Sequence, residues 1–150
     1  MSKKAIAFLF LSVLVPLVIY LIWPTDESRI KMLFREGASS VEEEDINGIM
    51  SKVSFNYRDE NGLTYLYIKE YMKTLLKRMQ DIKVDYENLQ IEIYEDTATA
   101  QMEVRVIATT SGETGYVFGD FPNPVQLTFT LEKERTKWFV VNTDGLPVYW

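Results

Sequence analysis

The side chains able to move a proton in this chain are carboxylates, tyrosines and lysines, because it has no histidine and no cysteine. That removes Ser-His-Asp and Cys-His triads and the usual His/Cys zinc site. The stretch TTSGETGYVFG, Thr109 to Gly119, lacks both the spacing and the lysine of a phosphate loop. The acidic run Glu42-Glu43-Glu44-Asp45 reads as a solvated helix start rather than a cation site. No cofactor and no metal is expected. The remaining candidate chemistry lies in SFNYRDENGLTYLYIKEYM, Ser54 to Met72, where Phe55 and Tyr57 alternate and Asp59 precedes an Asn61-Gly62 turn. A tyrosine and a carboxylate can serve a carbonyl substrate as hydrogen-bond donor and base, provided that the acid points into an apolar hollow. Asp59 beside a turn is more simply an acceptor for neighbouring backbone N–H groups. No catalytic residue is assigned.

The elements that would position these groups can be read from periodicity. A helix is predicted from Asp26 to Gly37, with Ile30, Leu33 and Phe34 on its apolar stripe and Gly37 as its stop. A second is predicted to start at SSVEEED, where Ser39/Glu42 or Ser40/Glu43 fits a capping box, and to carry Ile46, Ile49, Met50 and Val53. Phe55 and Tyr57 would share one face of a short strand. Thr64 would cap a third helix from Tyr65 to Met79, with Tyr67 and Tyr71 as an aromatic row. The period then changes to two. Ile82, Val84 and Tyr86 slip phase at Glu87-Asn88, as at a β-bulge, before Leu89, Ile91 and Ile93. After a tip at Asp96-Thr97, one side carries Ala98, Ala100, Met102, Val104 and Val106. Val125, Leu127, Phe129 and Leu131 form another inward row, and WFVVN, Trp138 to Asn142, a last strand. None of these inward positions is acidic. The longest connection, Thr110 to Pro124, bears Tyr116, Phe118 and Phe121, and the tail ends in Trp150. Long aromatic loops and apolar termini are expected contact points.

Ahead of this domain, AIAFLFLSVLVPLVIYLIW, residues 5–23, contains no charge. A helix of that length reaches about 28 Å, close to the ~30 Å hydrocarbon core of a bilayer. Lys3 and Lys4 precede it, Tyr20 and Trp23 mark its far end, and Pro24 closes it. The run is too long for a signal-peptide core and has no Ala-x-Ala site after it, so an uncleaved anchor is expected. Residues 1–4 would lie in the cytoplasm and residues 26–150 beyond a bacterial inner membrane, in the periplasm. The net charge of −6 argues against nucleic acid as a partner.

IMSKVSFNYRDENGLTYLYIKEYM and the closing TKWFVVNTD resemble the nuclear transport factor 2-like superfamily, which includes ketosteroid isomerase-like and polyketide cyclase-like proteins. The order of elements carries most of that resemblance. It implies an α+β fold, with three helices packed on a strongly curved antiparallel sheet around a cone-shaped hollow. Tyr57, Tyr71, Tyr86, Met102 and Phe129 would line the hollow and Asp59 would sit at its rim. It further implies dimerisation through the outer face of the sheet, at Gln101, Glu103, Arg105, Thr128 and Thr130. An anchored domain of this kind is similar in layout to assembly proteins of type IV secretion systems. The expected function is a membrane-tethered, non-catalytic assembly module that contacts a protein partner or a second copy. The alternative is a small-molecule pocket protein, either an apolar-ligand carrier or a cyclase- or isomerase-like enzyme. An open pocket within the cone, holding a buried carboxylate, would distinguish the two.

Overall fold

A computed structural model describes residues 3–147. Among them are four helices and five strands: α1 Lys3–Ile22, α2 Asp26–Glu42, α3 Ile46–Met50, α4 Tyr65–Leu76, β1 Gln80–Tyr94, β2 Thr97–Thr110, β3 Glu113–Phe118, β4 Val125–Glu134 and β5 Lys137–Asp144. α1 is long and apolar enough to cross a membrane, and none of its side chains is buried in the protein. Lys133 and Trp138 hold the start of α2. Their Nζ and Nε1 donate to the Asp26 carboxylate at 2.9 and 3.1 Å, and the Lys133 ammonium foremost draws that carboxyl below its usual pKa.

α2 runs on to Glu42, so Gly37 does not end it and neither predicted capping box forms. Open space surrounds Gly37. The roughly 1 kcal/mol that a mid-helix glycine costs is offset by burial of Ile30, Leu33 and Phe34. The acidic run therefore lies at the C-terminal end of α2, where Glu44 takes a left-handed φ of 56°. Asp45 then caps the short α3 by accepting from the Asn47 N–H.

The sheet is antiparallel and does not close on itself. Its order is β1-β2-β4-β5, with β3 also paired to β2. β3 and β4 occupy one lane beside β2, since β3 pairs with Val106 to Thr110 and β4 with Thr97 to Val104. The connection expected to be one long loop thus contains the strand β3, followed by an irregular stretch between Phe118 and Val125. Gly119 makes that stretch possible: its φ is +64°, and a Cβ there would meet the Val104 carbonyl at 2.9 Å. The bulge expected at Glu87-Asn88 is present, with a register shift between Glu87 and Gln90 and a φ of 56° at Asn88. β1 has β2 as its only strand partner among the described residues. On its other edge the Val84 N–H donates to Glu42 Oε1 at 2.9 Å.

The core lies between the helices and the concave face of the sheet. Ile30, Ala100 and Leu131 are wholly buried, with Leu33, Phe34, Met50, Met102, Val104, Leu127 and Val140 around them. Phe34 of α2 meets Phe129 of β4 with ring centroids 4.9 Å apart. Burying a side chain such as Leu131 contributes about 1.5–3 kcal/mol.

Candidate functional site

The segment from Val53 to Thr64 is where tyrosine and carboxylate chemistry would be placed. It makes no regular strand, only isolated bridges between Val53 and Val140 and between Arg58 and Thr64. It runs beside β5, held by Ser54 N–H to Val140 O and Arg58 N–H to Val141 O. This departs from the expected alternation: Phe55 is 84% exposed and Tyr57 only 3%. Phe55 sits on a turn, its ring against Tyr65 at 4.7 Å, so the two aromatics do not share a face.

Asp59 is buried, with 5% of its surface exposed, rather than standing open at a rim. Its Oδ1 accepts from the Asn61 and Leu63 N–H groups at 2.9 and 2.8 Å, which forms the turn through Gly62 into α4. Its Oδ2 is buried and has no hydrogen-bond partner among the described residues. The Tyr57 hydroxyl is likewise buried and makes no hydrogen bond of good geometry, although the Thr143 side chain stands close enough to act on it. Burial pushes the Tyr57 phenol up to about 12. The nearby Thr143 side chain pulls it back only in part, and the Asp59 and Asp144 carboxylates add to the rise. Thr143 is itself buried, on β5 opposite Phe129. At neutral pH the site therefore offers a neutral phenolic donor near a buried carboxylate oxygen, at the boundary between core and turn.

The five residues expected to line a hollow gather in one cluster. Tyr57 and Met102 are buried in it, and Tyr71, Tyr86 and Phe129 pack against it. Two cavities lie elsewhere. One, of about 250 Å³, is lined by Met50, Val53, Phe55, Tyr65, Lys69 and Phe139, among others. The other, of about 430 Å³, lies where Tyr116 and Phe121 approach Asp85, Glu87 and Arg105.

Of the expected contact residues, Phe118 packs against the core, while Tyr116 and Phe121 are exposed. Trp150 lies outside the described residues. Arg105 fixes the turn that bears Phe121: its Nε donates to the Asp120 carbonyl at 3.1 Å, and its guanidinium lies 5.8 Å from the Phe121 ring centroid. Arg105 also pairs with Glu87 at 2.8 Å, and Glu103 accepts from Asn88 and Gln126. The polar groups on the outer face of the sheet thus engage one another. Sequence reasoning missed Thr143, whose inward direction depends on the register shift after Thr130, and the joint exposure of Leu66 and Tyr67 at the start of α4. The second was detectable, because neither falls on the Ile68–Met72–Leu75 stripe.

No family model matches the chain, and no curated protein matches it in sequence. Solved structures do match in shape. A candidate dehydratase of the NTF2-like family from Streptomyces avermitilis shares 10% identity at a TM-score of 0.69, over 83% of this chain and 98% of that one. A candidate scytalone dehydratase from Novosphingobium aromaticivorans shares 13% at 0.68, over 83% and 89%. A Nostoc punctiforme protein of unknown function with a cystatin-like fold shares 15% at 0.63, over 83% and 96%. At such identities the likeness fixes architecture and not activity: this chain has the cystatin-like, NTF2-like α+β fold.

Proposed function

We propose that this chain is a membrane-anchored binding domain that works through protein contacts on its outer surface. Residues 5–23 form the single span, residues 1–4 stay in the cytoplasm, and residues 26–150 make up the domain beyond the membrane. The observation that carries this reading is where the uncovered apolar groups lie. Tyr57 and Met102 are buried in the core between helices and sheet, with Tyr71, Tyr86 and Phe129 packed against it, whereas Phe55, Leu66 and Tyr67 are 84%, 72% and 58% exposed at or near the start of α4. Beside Phe55 and Tyr65 lies the cavity of about 250 Å³. Aromatic anchors next to a recess are the usual core of a protein contact, and an anchor raises the local concentration of such a surface for partners in the same membrane. A photo-crosslinking residue at Phe55 or Tyr67 of the full chain, in its native membrane, should give a discrete adduct with a protein. One at the exposed Thr74 should not. Equal, diffuse labelling at all three positions would refute the reading.

A second reading rests on a different observation, the buried Asp59 Oδ2 that lacks a partner and the buried Tyr57 hydroxyl that has only the Thr143 side chain near it. Together they suit a small ligand bearing a carbonyl or hydroxyl group, a role consistent with dehydratase names among proteins of similar shape. Native mass spectrometry of the chain purified from its own membrane tests this. A bound small molecule that disappears in Asp59→Asn would favour it, and a ligand-free wild type would not.

A further inference from the structure

We infer that the end of the sheet bearing the β1–β2 and β4–β5 turns rests on the bilayer, in the headgroup layer of zwitterionic lipid. This rests on the reading of α1 as a membrane span. Only Trp23, Pro24 and Thr25 separate the end of α1 at Ile22 from the start of α2 at Asp26. That much extended chain reaches about 10 Å, and the headgroup region beside the hydrocarbon is roughly 5–8 Å deep. The first turn of α2 is therefore held at the membrane surface.

The first turn of α2 is locked to the sheet. Asp26 holds Lys133 and Trp138. The Arg29 guanidinium donates to the Thr136 carbonyl at 2.7 Å, and the Lys133 N–H donates to the Asp96 carbonyl at 2.8 Å. Both turns thus move with α2. At this end Tyr94 is 76% exposed and Ile93 40%. A tyrosine with an apolar neighbour suits the membrane–water boundary. The charges around it are mixed, with Asp26, Glu95, Asp96, Glu132 and Glu134 against Arg29, Lys133, Arg135 and Lys137. Such a surface has no basic excess to select anionic lipid, which leaves the neutral headgroup zone as its partner. β2 runs 14 residues from this end, roughly 40 Å, so with this end seated on the bilayer and β2 directed away from it the β2–β3 turn stands clear of the headgroups.

The absence of cysteine allows single reporters in the full chain. Asp96→Cys and Thr136→Cys, at exposed positions in the two turns, and Glu113→Cys, at the far end, are each labelled with a fluorophore. Each protein is reconstituted in phosphatidylcholine vesicles containing headgroup-spin-labelled lipid. Quenching at 96 and 136 should exceed that at 113 by about threefold or more, given the ~40 Å separation. Tyr94→Ser should reduce it. Val13→Cys with a spin label deep in the acyl chain tests the anchor separately. If position 13 is quenched and positions 96 and 136 match 113, the span stands and the docking is overturned. Shielding of 96 and 136 from an aqueous quencher without lipid quenching would assign this end to a protein and also overturn it. No quenching at position 13 removes both.

Discussion

Replacing Tyr57 with phenylalanine removes one oxygen from the centre of the candidate site, and its effect can be worked out in advance. The hydroxyl is buried with no hydrogen bond of good geometry, only the Thr143 side chain standing near it, and the ring packs in the main core. Leaving such a group unpaired costs about 1–3 kcal/mol, while the ring keeps its contacts. At pH 8 Tyr57→Phe should therefore be neutral or stabilising, by up to about 1 kcal/mol. The pH dependence gives a second, independent signature. The folded phenol ionises near 12 against a usual value of 10.0, so between those pH values the unfolded chain has lost a proton that the folded chain keeps. The contribution is fully present below pH 10 and is lost as pH rises towards 12. It amounts to about 3 kcal/mol at 1.36 kcal/mol per pH unit. Lysines titrate in the same range, but they are common to both proteins. Urea unfolding of wild type and variant at pH 8, 10 and 11.5, in the same detergent, isolates the difference. The variant should lose stability less steeply above pH 10. A variant destabilised by more than about 1.5 kcal/mol at pH 8, with an unchanged alkaline limb, would mean that the hydroxyl is well bonded in solution and would refute the reasoning.

Three further outcomes are expected. Asp26→Asn weakens the tie to Lys133; because the native Asp26 carboxyl is held below 3.8, wild type should lose stability as pH falls through that lowered pKa, and the variant should lose less in acid-unfolding curves. Gly145→Ala should destabilise by about 2 kcal/mol or more, since φ there is +91° and a Cβ would meet the Gln126 carbonyl at 2.2 Å; thermal unfolding measures it. Arg105→Gln should speed hydrogen exchange at the Asp120–Asn123 turn, whose carbonyls Arg105 holds, more than at the β2–β4 ladder.

Legibility in the sequence followed the strength of periodic burial. The inward rows Ala98 to Val106 and Val125 to Leu131 could be read because a strand with one buried face must alternate, and a slip would expose the whole row. Even the bulge at Glu87-Asn88 left a phase change. Gly37 misled because propensity is local, whereas the packing of Phe34 against Phe129 is not. Phe55 and Tyr57 misled for a related reason: three residues alternate as readily in a turn as in a strand, and backbone bonds to Val140 and Val141 decided the outcome. β3 was missed because Glu113 to Phe118 is mostly exposed and so carries little hydrophobic pattern. Within the candidate site, Asp59 was recognised as a turn acceptor. Its burial depends on β5, far along the chain, and no local signal reports that.

On the proposed membrane anchorage, the outer margin of β1 has a consequence for a molecule confined to a plane. An unpaired strand border is a template on which neighbouring copies can zip together, and tethered copies meet far more often than free ones. Here Glu42 occupies the Val84 N–H, and the register breaks after Gln80 and Glu87 interrupt the row. Asp81, Lys83, Asp85 and Glu87 add charge along the same margin. Crowding along a membrane can then bring these domains together without turning proximity into fibril-like aggregation.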